Sequence, residues 1–591
     1  MDTHSYARPR DARVVDLALD LSIDFSARKL RGSARLTVDR QPSATTIVLD
    51  TQDLTILGVS EPSGAALPFT LGADDPILGR ALTVTLPAGR EIVVRYETSE
   101  SAGALQWLAP EQTAGKRHPF LYSQGQAILS RSWIPTQDSP GVRQTYSARL
   151  IVPNGLRAVM SAEQLTPEGT PVEGGRAFEF RLTQPIPAYL MALAVGDIAV
   201  RPLGPRTAVY AEPSVLDAAA YEFGELERMV AAAETLLGPY AWGRYDVLVL
   251  PPSFPFGGME NPRLTFATPT VLAGDRSLVS LIPHELAHSW SGNLVTNATW
   301  SDFWLNEGVT TYVELRIMEV LFGAPQAATL EVLGRAALVK EIDRLGGPAS
   351  RDTVLHLDLE GRNPDDGATQ IPYEKGAALM KLLELTVGRD RFDAFLRGYF
   401  QRHAFTSITT GAFLADVRSF LFPDDPGAES RLQLQRWIEE PGLPDNASRP
   451  VSKRLLDIER QAAAFAAGAP AGSLGADRWT TQEWLHFFAT VSEALSPPQT
   501  ADLDRSFGMS DRRNSEVLFE WLRLAIRQRY APAMPALERF LTGQGRRKFL
   551  RPLYEDLMRT EWGRAEARRL YARARPLYHS VATSTLDAIV R

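Results

Sequence analysis

The sequence contains no cysteine and only eight histidines among its 591 residues. The absence of cysteine excludes disulfide scaffolds, cysteine-ligated zinc fingers, iron–sulfur clusters and thiol nucleophiles. Any bound metal must therefore use His, Asp or Glu as ligands. Because histidines are so few, their positions carry more information than usual.

The sequence also lacks a strong charge of one sign and any long apolar run. Its 63 basic and 70 acidic residues leave a net charge of −7 and are mixed along the chain, so we expect no nucleic-acid partner. No apolar stretch reaches the roughly 18 residues needed to span a membrane, and the N-terminus has no apolar signal segment. We therefore expect no membrane partner and a cytoplasmic location. A periplasmic location is the alternative if a leader has been removed.

At roughly 100–200 residues per domain, the length predicts three or four domains. The patterning along the chain then indicates three, in a multidomain α+β chain. Residues 1–202 carry short alternations of apolar and polar residues between Gly, Pro and Asp, which predict a β-rich domain. Residues 203–447 combine helical patterns with a buried strand at 246–250 and predict a mixed α/β or α+β domain. A Pro-rich linker at 439–450 precedes residues 448–591, where amphipathic segments predict an all-α helical array.

Three local predictions concern helices. Residues 221–237 carry apolar residues at helical spacing, and long helical patterns begin at Ser280 and Tyr373. The Ala- and Gly-rich residues 462–475 are expected to form a connection with little defined structure.

Two of the histidines form an HExxH motif, His284-Glu285-Leu286-Ala287-His288. Imidazoles four residues apart lie on one face of a helix, where both can bind a single zinc, and Glu285 then projects beside them toward a water at the metal. The alternative interpretation is a pair of structural helix histidines.

A third ligand is expected at Glu307, after eighteen intervening residues, at the start of another amphipathic helix. Two His and one Glu leave the fourth position of a tetrahedral zinc open, which is typical of a catalytic site rather than a structural one. Glu314 lies two turns further along the same helix and could accept a hydrogen bond from a ligand imidazole. A solvated helix acid is an equally good interpretation of Glu314.

A glycine-rich segment with a carboxylate precedes the motif and contains Gly257, Gly258, Met259 and Glu260. The two glycines allow the backbone to approach a substrate closely, and Glu260 could pair with a substrate ammonium group. In isolation the segment favours a turn with a surface acid. Together with HExxH and the spaced Glu, it is predicted to bind substrate.

Several segments together resemble one family, the gluzincin aminopeptidases of the aminopeptidase N type, and within it the leukotriene A4 hydrolase branch. They are ALQWL (104–108), SQGQA (123–127), PSFPFGGMEN (252–261), HELAHSWSGNLVTN (284–297), PYEKG (372–376) and RRKFLRPL (546–553). The resemblance implies a β-rich N-terminal domain, a thermolysin-like zinc catalytic domain and an α-helical C-terminal domain. The active site is then expected in the cleft between them.

The family also implies roles for residues at its active site. Glu285 is expected to take a proton from water and pass it to the leaving amine, and Tyr373 to stabilise the oxyanion. A structural tyrosine at a helix start is the alternative for Tyr373. Glu260 corresponds to the family's anchor for the substrate α-ammonium, helped by Gln124 and Gln126 of the Gln-x-Gln motif.

Other correspondences are more specific to the branch. Arg546 and Lys548 match a pair that binds the carboxylate of a peptide C-terminus or of a lipid, although such charges are also typical of a solvated helix face. Asp365 falls where an aspartate directs water in epoxide opening. The alternative interpretations are that it favours basic first residues of peptides or that it is a loop acid. Ala368 and Phe256 stand where tyrosines are expected, so the lipid pocket differs.

We therefore predict a zinc aminopeptidase that acts on short peptides, as a monomer with one zinc per chain. A bifunctional aminopeptidase and epoxide hydrolase acting on lipid epoxides like leukotriene A4 is the alternative. A non-catalytic binding scaffold is the third hypothesis, against which the intact set of Glu285, Tyr373 and three metal ligands argues.

Overall fold

The N-terminal part of the chain forms β-sheets because its apolar side chains alternate along each strand. In the computed structural model, which describes residues 2–278, 280–491 and 495–591, Leu17, Leu19 and Leu21 point into the core while Asp20 and Ser22 face outward. The strands of this part are β1 (Ala12–Asp24), β2 (Lys29–Arg40), β3 (Thr46–Thr51), β4 (Thr55–Ser60), β5 (Phe69–Leu71), β6 (Arg80–Thr85), β7 (Glu91–Glu97), β8 (Leu105–Leu108), β9 (Phe120–Ser123), β10 (Arg143–Val152), β11 (Arg157–Met160), β12 (Glu163–Gln164), β13 (Thr170–Val172), β14 (Gly175–Pro187) and β15 (Leu193–Gly196).

These strands form three sheets. The largest has the order β12-β14-β10-β1-β2-β7-β4, and β13 also pairs with β14. A second sheet has the order β3-β6-β5, and a third has the order β11-β15-β9-β8. The end of β9 matters for function because the Gln124–Gln126 segment follows it directly.

The middle part is built on a mixed sheet of order β16-β17-β18-β20-β19, in which β17, β18 and β20 are parallel and both edge strands are antiparallel. Its strands, together with a separate two-stranded pair, are β16 (Ala199–Pro202), β17 (Thr207–Ala211), β18 (Tyr245–Val249), β19 (Gly258–Met259), β20 (Leu264–Ala267), β21 (Val295–Asn297) and β22 (Thr406–Ile408). Its helices are α1 (Leu216–Glu222), α2 (Leu226–Leu237), α3 (Leu281–Ala287), α4 (Trp304–Phe322), α5 (Ala324–Arg344), α6 (Gly376–Val387), α7 (Arg389–Arg402), α8 (Thr410–Asp416), α9 (Ala428–Leu432) and α10 (Leu434–Glu439). A π-helical turn, Ile371–Lys375, leads into α6.

The C-terminal part is helical and has its own apolar core, whereas the first two parts share one continuous core. Its helices are α11 (Lys453–Ala466), α12 (Thr481–Thr490), α13 (Pro497–Phe507), α14 (Ser515–Arg527), α15 (Met534–Gly543), α16 (Arg547–Met558), α17 (Glu561–Ala574) and α18 (Ser580–Ile589). In the part of the chain that the structure describes, no helix is both long enough and apolar enough to cross a membrane.

The C-terminal helices are joined to the loop that precedes the glycine-rich segment. The backbone amide of Gly545 donates to the Pro252 carbonyl at 2.7 Å, and that of Arg547 donates to the Pro255 carbonyl at 3.2 Å. These bonds place the start of α16 beside the edge strand β19. The domain boundaries at 202 and 447 stay predictions, and β16, which ends at the first of them, pairs with β17.

Four local predictions were wrong in whole or in part. Residues 221–237 are helical as predicted from Leu226 to Leu237, but they do not form one continuous helix. The segment 221–237 is interrupted between α1 and α2, around Gly224. The helix from Ser280 is short: α3 ends at Ala287 and is followed by a turn, in which Gly292 adopts φ +119°. Residues 462–466 belong to α11, since alanine favours helices and Phe465 is buried in the core, whereas residues 467–475 form a connection that contains one short 3-10 helix, Ala471–Ser473.

The fourth concerns α4, which was expected to be amphipathic. Instead it is buried on all sides from Trp304 to Val313, because α3, α5 and α6 pack around it. Its polar residues, including Glu307 and Thr310, face other protein groups rather than water.

Candidate active site

The two histidines of the HExxH motif lie together on α3. Ile282 and Leu286 are buried on the other face of this helix, so His284 and His288 project from the same side with ring centroids 4.9 Å apart. Glu307, in the first turn of α4, completes the group: its Oε2 lies 3.4 Å from Nε2 of both rings.

The outer nitrogen of each ring is held by an acceptor. His284 Nδ1 lies 3.0 Å from Glu314 Oε2, and His288 Nδ1 lies 2.9 Å from the Ser291 carbonyl oxygen and 3.2 Å from Thr310 Oγ1. An ionised carboxylate and a carbonyl only accept, so Nδ1 carries the proton in both rings. Burial opposes protonation of the two rings, but the adjacent Glu307 raises the pKa of both. A bound zinc would replace the Nε2 proton of each ring and use the lone pair that faces Glu307.

This donor set fits zinc. Bonds of about 2.0–2.1 Å in a tetrahedron place ligand atoms roughly 3.3 Å apart, close to the 3.4 Å that separates Glu307 Oε2 from each Nε2. Glu307 Oε2 is buried, and no hydrogen bond from the described residues satisfies it. Burial opposes ionisation of Glu307, but the adjacent His288 and His284 hold its pKa below the ordinary value.

Glu285 points from α3 toward the edge strand β19. An ideal Cβ on Gly258 would lie 2.2 Å from Glu285 Oε1, so the carboxylate packs directly against the backbone of this glycine. Burial raises the pKa of Glu285, although the nearby imidazoles of His284 and His288 favour its ionised form and so act in the opposite direction. A carboxylate with a raised pKa is suited to both accepting and returning a proton near neutral pH.

Glu260 lies beside the same centre. Carboxylate oxygens of Glu260 and Glu285 and a ring nitrogen of His288 all lie within 4.8 Å of one another. Glu260 is 5% exposed, and its Oε1 has no hydrogen-bond partner within the described part of the chain. Its backbone carbonyl accepts a hydrogen bond from Asn293 Nδ2 at 2.8 Å, which fixes the strand end that carries it. Sequence reasoning did not identify Asn293.

The N-terminal domain reaches this centre through the segment after β9. Gln124 Nε2 contacts Met259 Sδ at 3.1 Å, one residue before Glu260. Gln126 is half-buried, and the next residue, Ala127, donates its backbone amide to the carboxylate of Asp365. Asp365 is otherwise exposed, in the short turn Pro364–Gly367.

Tyr373 borders the centre from the π-helical turn. Its ring stacks on His284 with centroids 5.9 Å apart and an interplanar angle of 18°, and it meets Phe303 edge to face. Burial and the nearby carboxylates of Glu307 and Glu260 raise the pKa of its phenol well above the ordinary value. The hydroxyl therefore keeps its proton and remains a hydrogen-bond donor.

Arg546 and Lys548 lie in the C-terminal part of the chain, at the start of α16. A Cβ on Gly257 would be 3.1 Å from Arg546 Nη2, so the guanidinium adjoins the glycine-rich segment. Both cations pair with Glu516. No sequence motif pointed to Glu516, because it lies 30 residues upstream on α14.

Comparison with known proteins matches each of the three parts. Residues 4–190 match the Peptidase M1 N-terminal domain, residues 221–423 the Peptidase family M1 domain, and residues 479–590 the C-terminal domain of leukotriene A4 hydrolase. Leukotriene A-4 hydrolase of Xenopus laevis is 39% identical over 98% of this chain and 97% of its own length. Aminopeptidase B of Mus musculus is 38% identical over 87% of this chain and 81% of its own.

A solved structure of yeast leukotriene A4 hydrolase with bestatin aligns with a TM-score of 0.92 and 30% identity, and the alignment covers 100% of this chain and 97% of that one. Fold, motifs and matches define a zinc metallopeptidase of three domains. The chain belongs to the M1 family of zinc aminopeptidases, as a homologue of leukotriene A4 hydrolase and aminopeptidase B. The family and the three-domain fold class predicted from the sequence are thereby confirmed.

Proposed function

We propose that the protein removes N-terminal residues from short peptides, with one zinc per chain held by His284, His288 and Glu307. When bound, zinc supplies a Lewis acid that polarises the scissile carbonyl and makes water more acidic. The cytoplasmic location and the monomeric state stay predictions.

Glu285 is the proposed general base and acid. It takes a proton from the attacking water and returns it to the leaving amine, a role supported by its burial and raised pKa. Tyr373 is the proposed oxyanion donor, supported by a protonated hydroxyl on a ring that stacks against His284. We propose that Glu314 orients His284, which its 3.0 Å contact with Nδ1 supports.

The observation that carries the proposal is the buried carboxylate of Glu260. A buried acid whose Oε1 has no protein partner needs a cation, and the free α-ammonium of a peptide supplies one. Because Glu260 lies next to Glu285 and His288, only the first peptide bond reaches the metal ligands when the ammonium is bound. An internal peptide bond brings no such cation, which explains cleavage at the amino end.

The other substrate contacts follow the same geometry. Gln124 and Gln126 approach from the N-terminal domain, with Gln124 against Met259. We propose that the peptide backbone lies along the edge strand β19 beside Gly257 and Gly258. Arg546 and Lys548 are the proposed partners of the C-terminal carboxylate of a short peptide.

Opening of a lipid epoxide is a second candidate activity, favoured by 39% identity to a leukotriene A-4 hydrolase over nearly the whole chain. Asp365 would direct water in that reaction, or select basic first residues of peptides. Ala368 and Phe256 both lack a hydroxyl, so ligand fit differs from that expected. A dihydroxy product from a conjugated epoxy fatty acid would support this activity; no product from enzyme that cleaves peptides would exclude it.

The test of the main proposal compares an alanyl arylamide with its Nα-acetyl derivative. Acetylation removes the positive charge that Glu260 needs and changes nothing at the scissile bond. We expect hydrolysis of the free amine only, and loss of that hydrolysis when a chelator removes zinc. Equal rates for the two substrates would contradict an aminopeptidase, and activity that resists chelation would contradict the zinc site.

A further inference from the structure

The two cations at the start of α16 are already paired with a carboxylate of the protein. Lys548 Nζ donates to both Oε1 and Oε2 of Glu516, at 2.8 Å each. Arg546 Nη1 donates to Glu516 Oε1 at 3.3 Å. Glu516 therefore occupies the acceptor position that a ligand carboxylate would take between these cations.

Arg546 is held in one orientation. Its Nη1 also donates to Thr270 Oγ1 at 3.3 Å, and its backbone amide donates to Gln544 Oε1 at 2.7 Å. Its Nη2 faces Gly257, three residues before Glu260. The side chain of Arg546 is 16% exposed and that of Lys548 is 53% exposed, so a ligand approaches from the Lys548 side while Arg546 remains fixed.

The ionised carboxylate of Glu516 sets the net charge of the cluster formed by Arg546, Lys548 and Glu516. Burial opposes ionisation of Glu516, but Lys548 and Arg546 hold its pKa below the ordinary value. Its position in the first turn of α14, after the Asn514 cap, also favours a negative charge. Two cations and one carboxylate leave a single net positive charge, enough for one singly charged ligand carboxylate.

We propose that Glu516 is a specificity-determining residue, an internal carboxylate that competes with the peptide C-terminus for Arg546 and Lys548. A bound peptide must share or displace this carboxylate, so the protein gives up part of the attraction of both cations. The inference rests on the proposed function, because it concerns the peptide end opposite to the one that is cleaved.

The test measures how strongly the enzyme prefers a free C-terminus. The value of kcat/KM is determined for tri-alanine and for tri-alanine amide, and their ratio is compared between the wild type and Glu516→Gln. Glutamine keeps the shape and one acceptor oxygen but removes the charge. We expect the acid-to-amide ratio to rise about three- to tenfold, as for one partly screened charge.

The matched control is Glu520→Gln, which removes a carboxylate one turn further along α14. Glu520 faces Arg523 and forms no ion pair with Arg546 or Lys548 among the described residues. We expect the acid-to-amide ratio of kcat/KM in Glu520→Gln to equal that of the wild type. A purely structural role of Glu516 would lower thermal stability without changing the ratio, so an unchanged or lower ratio in folded Glu516→Gln overturns the proposal. If this variant does not fold, Glu516→Ala is measured in the same way.

An alanyl arylamide, which has no carboxylate, separates this inference from the proposed function. If the wild type cleaves neither the arylamide nor the peptides, the aminopeptidase proposal fails. Calorimetric binding of tri-alanine and its amide to the wild type and Glu516→Gln then decides the role of Glu516. A larger affinity ratio in the variant supports competition, and equal ratios overturn it.

Discussion

The carboxylate of Glu285 rests against the backbone of Gly258, with no room for a side chain between them. A Cβ at position 258 would lie 2.2 Å from Oε1, well inside van der Waals contact. Because Gly258 belongs to the edge strand β19 and Glu285 to helix α3, this contact sets the distance between the proposed proton carrier and the strand along which substrate would lie.

Gly258→Ala is expected to displace the Glu285 carboxylate while leaving the metal ligands in place. A misplacement of about 1 Å can lower a rate by roughly 100-fold, so we expect a fall in kcat of that order with normal zinc content. Steady-state kinetics and metal analysis measure both. Gly472→Ala is the control, since a Cβ there meets nothing within 4 Å. Full activity in Gly258→Ala would show that the contact does not position Glu285.

Tyr373→Phe is expected to lower kcat with little change in KM. Phenylalanine keeps the ring that stacks on His284 at 5.9 Å and removes only the hydroxyl. Loss of one oxyanion donor typically costs about 100- to 1,000-fold in kcat. Kinetics on an alanyl arylamide measure the change. If Tyr373→Phe keeps the wild-type kcat, Tyr373 is a structural tyrosine at a helix start rather than an oxyanion donor.

Glu314→Ala is expected to weaken zinc binding without removing a ligand. The substitution deletes the acceptor that holds His284 Nδ1 at 3.0 Å, and loss of such a partner costs about 10- to 100-fold in metal affinity. Competition with a chromogenic chelator measures this affinity. The control is Glu319→Ala on the same helix, which pairs with Arg389 rather than a metal ligand and should bind zinc normally. Equal zinc affinities of Glu314→Ala and the wild type would show that Glu314 does not orient His284.

The sequence alone was sufficient to predict the three-domain fold, because alternating strands and amphipathic helices leave clear periodic patterns. It also predicted that His284, His288 and Glu307 lie together, because HExxH places two imidazoles on one helix face and Glu307 stands in the first turn of the next long helix. Their role as zinc ligands stays a prediction. The prediction that α4 is amphipathic was wrong. Its buried polar residues near the candidate metal ligands look, in the sequence, like the solvated face of a surface helix.

Partners from distant segments were not predicted. Ser291 and Thr310 hold His288, yet a backbone carbonyl leaves no signal in a sequence, and Thr310 differs from other helix threonines only by lying three residues after Glu307. Glu516 lies far from Arg546 and Lys548 along the chain, and only the packing of α14 on α16 joins them. Such pairs depend on tertiary structure rather than on local spacing.

The central claim is that zinc binds at His284, His288 and Glu307 and that Glu285 moves the proton. It is tested most directly by measuring zinc content and alanyl arylamide hydrolysis together in the wild type and in Glu285→Gln. We expect one zinc per chain in both proteins, activity in the wild type that chelation removes and zinc restores, and no activity in the variant. Wild-type activity in zinc-loaded Glu285→Gln would contradict it.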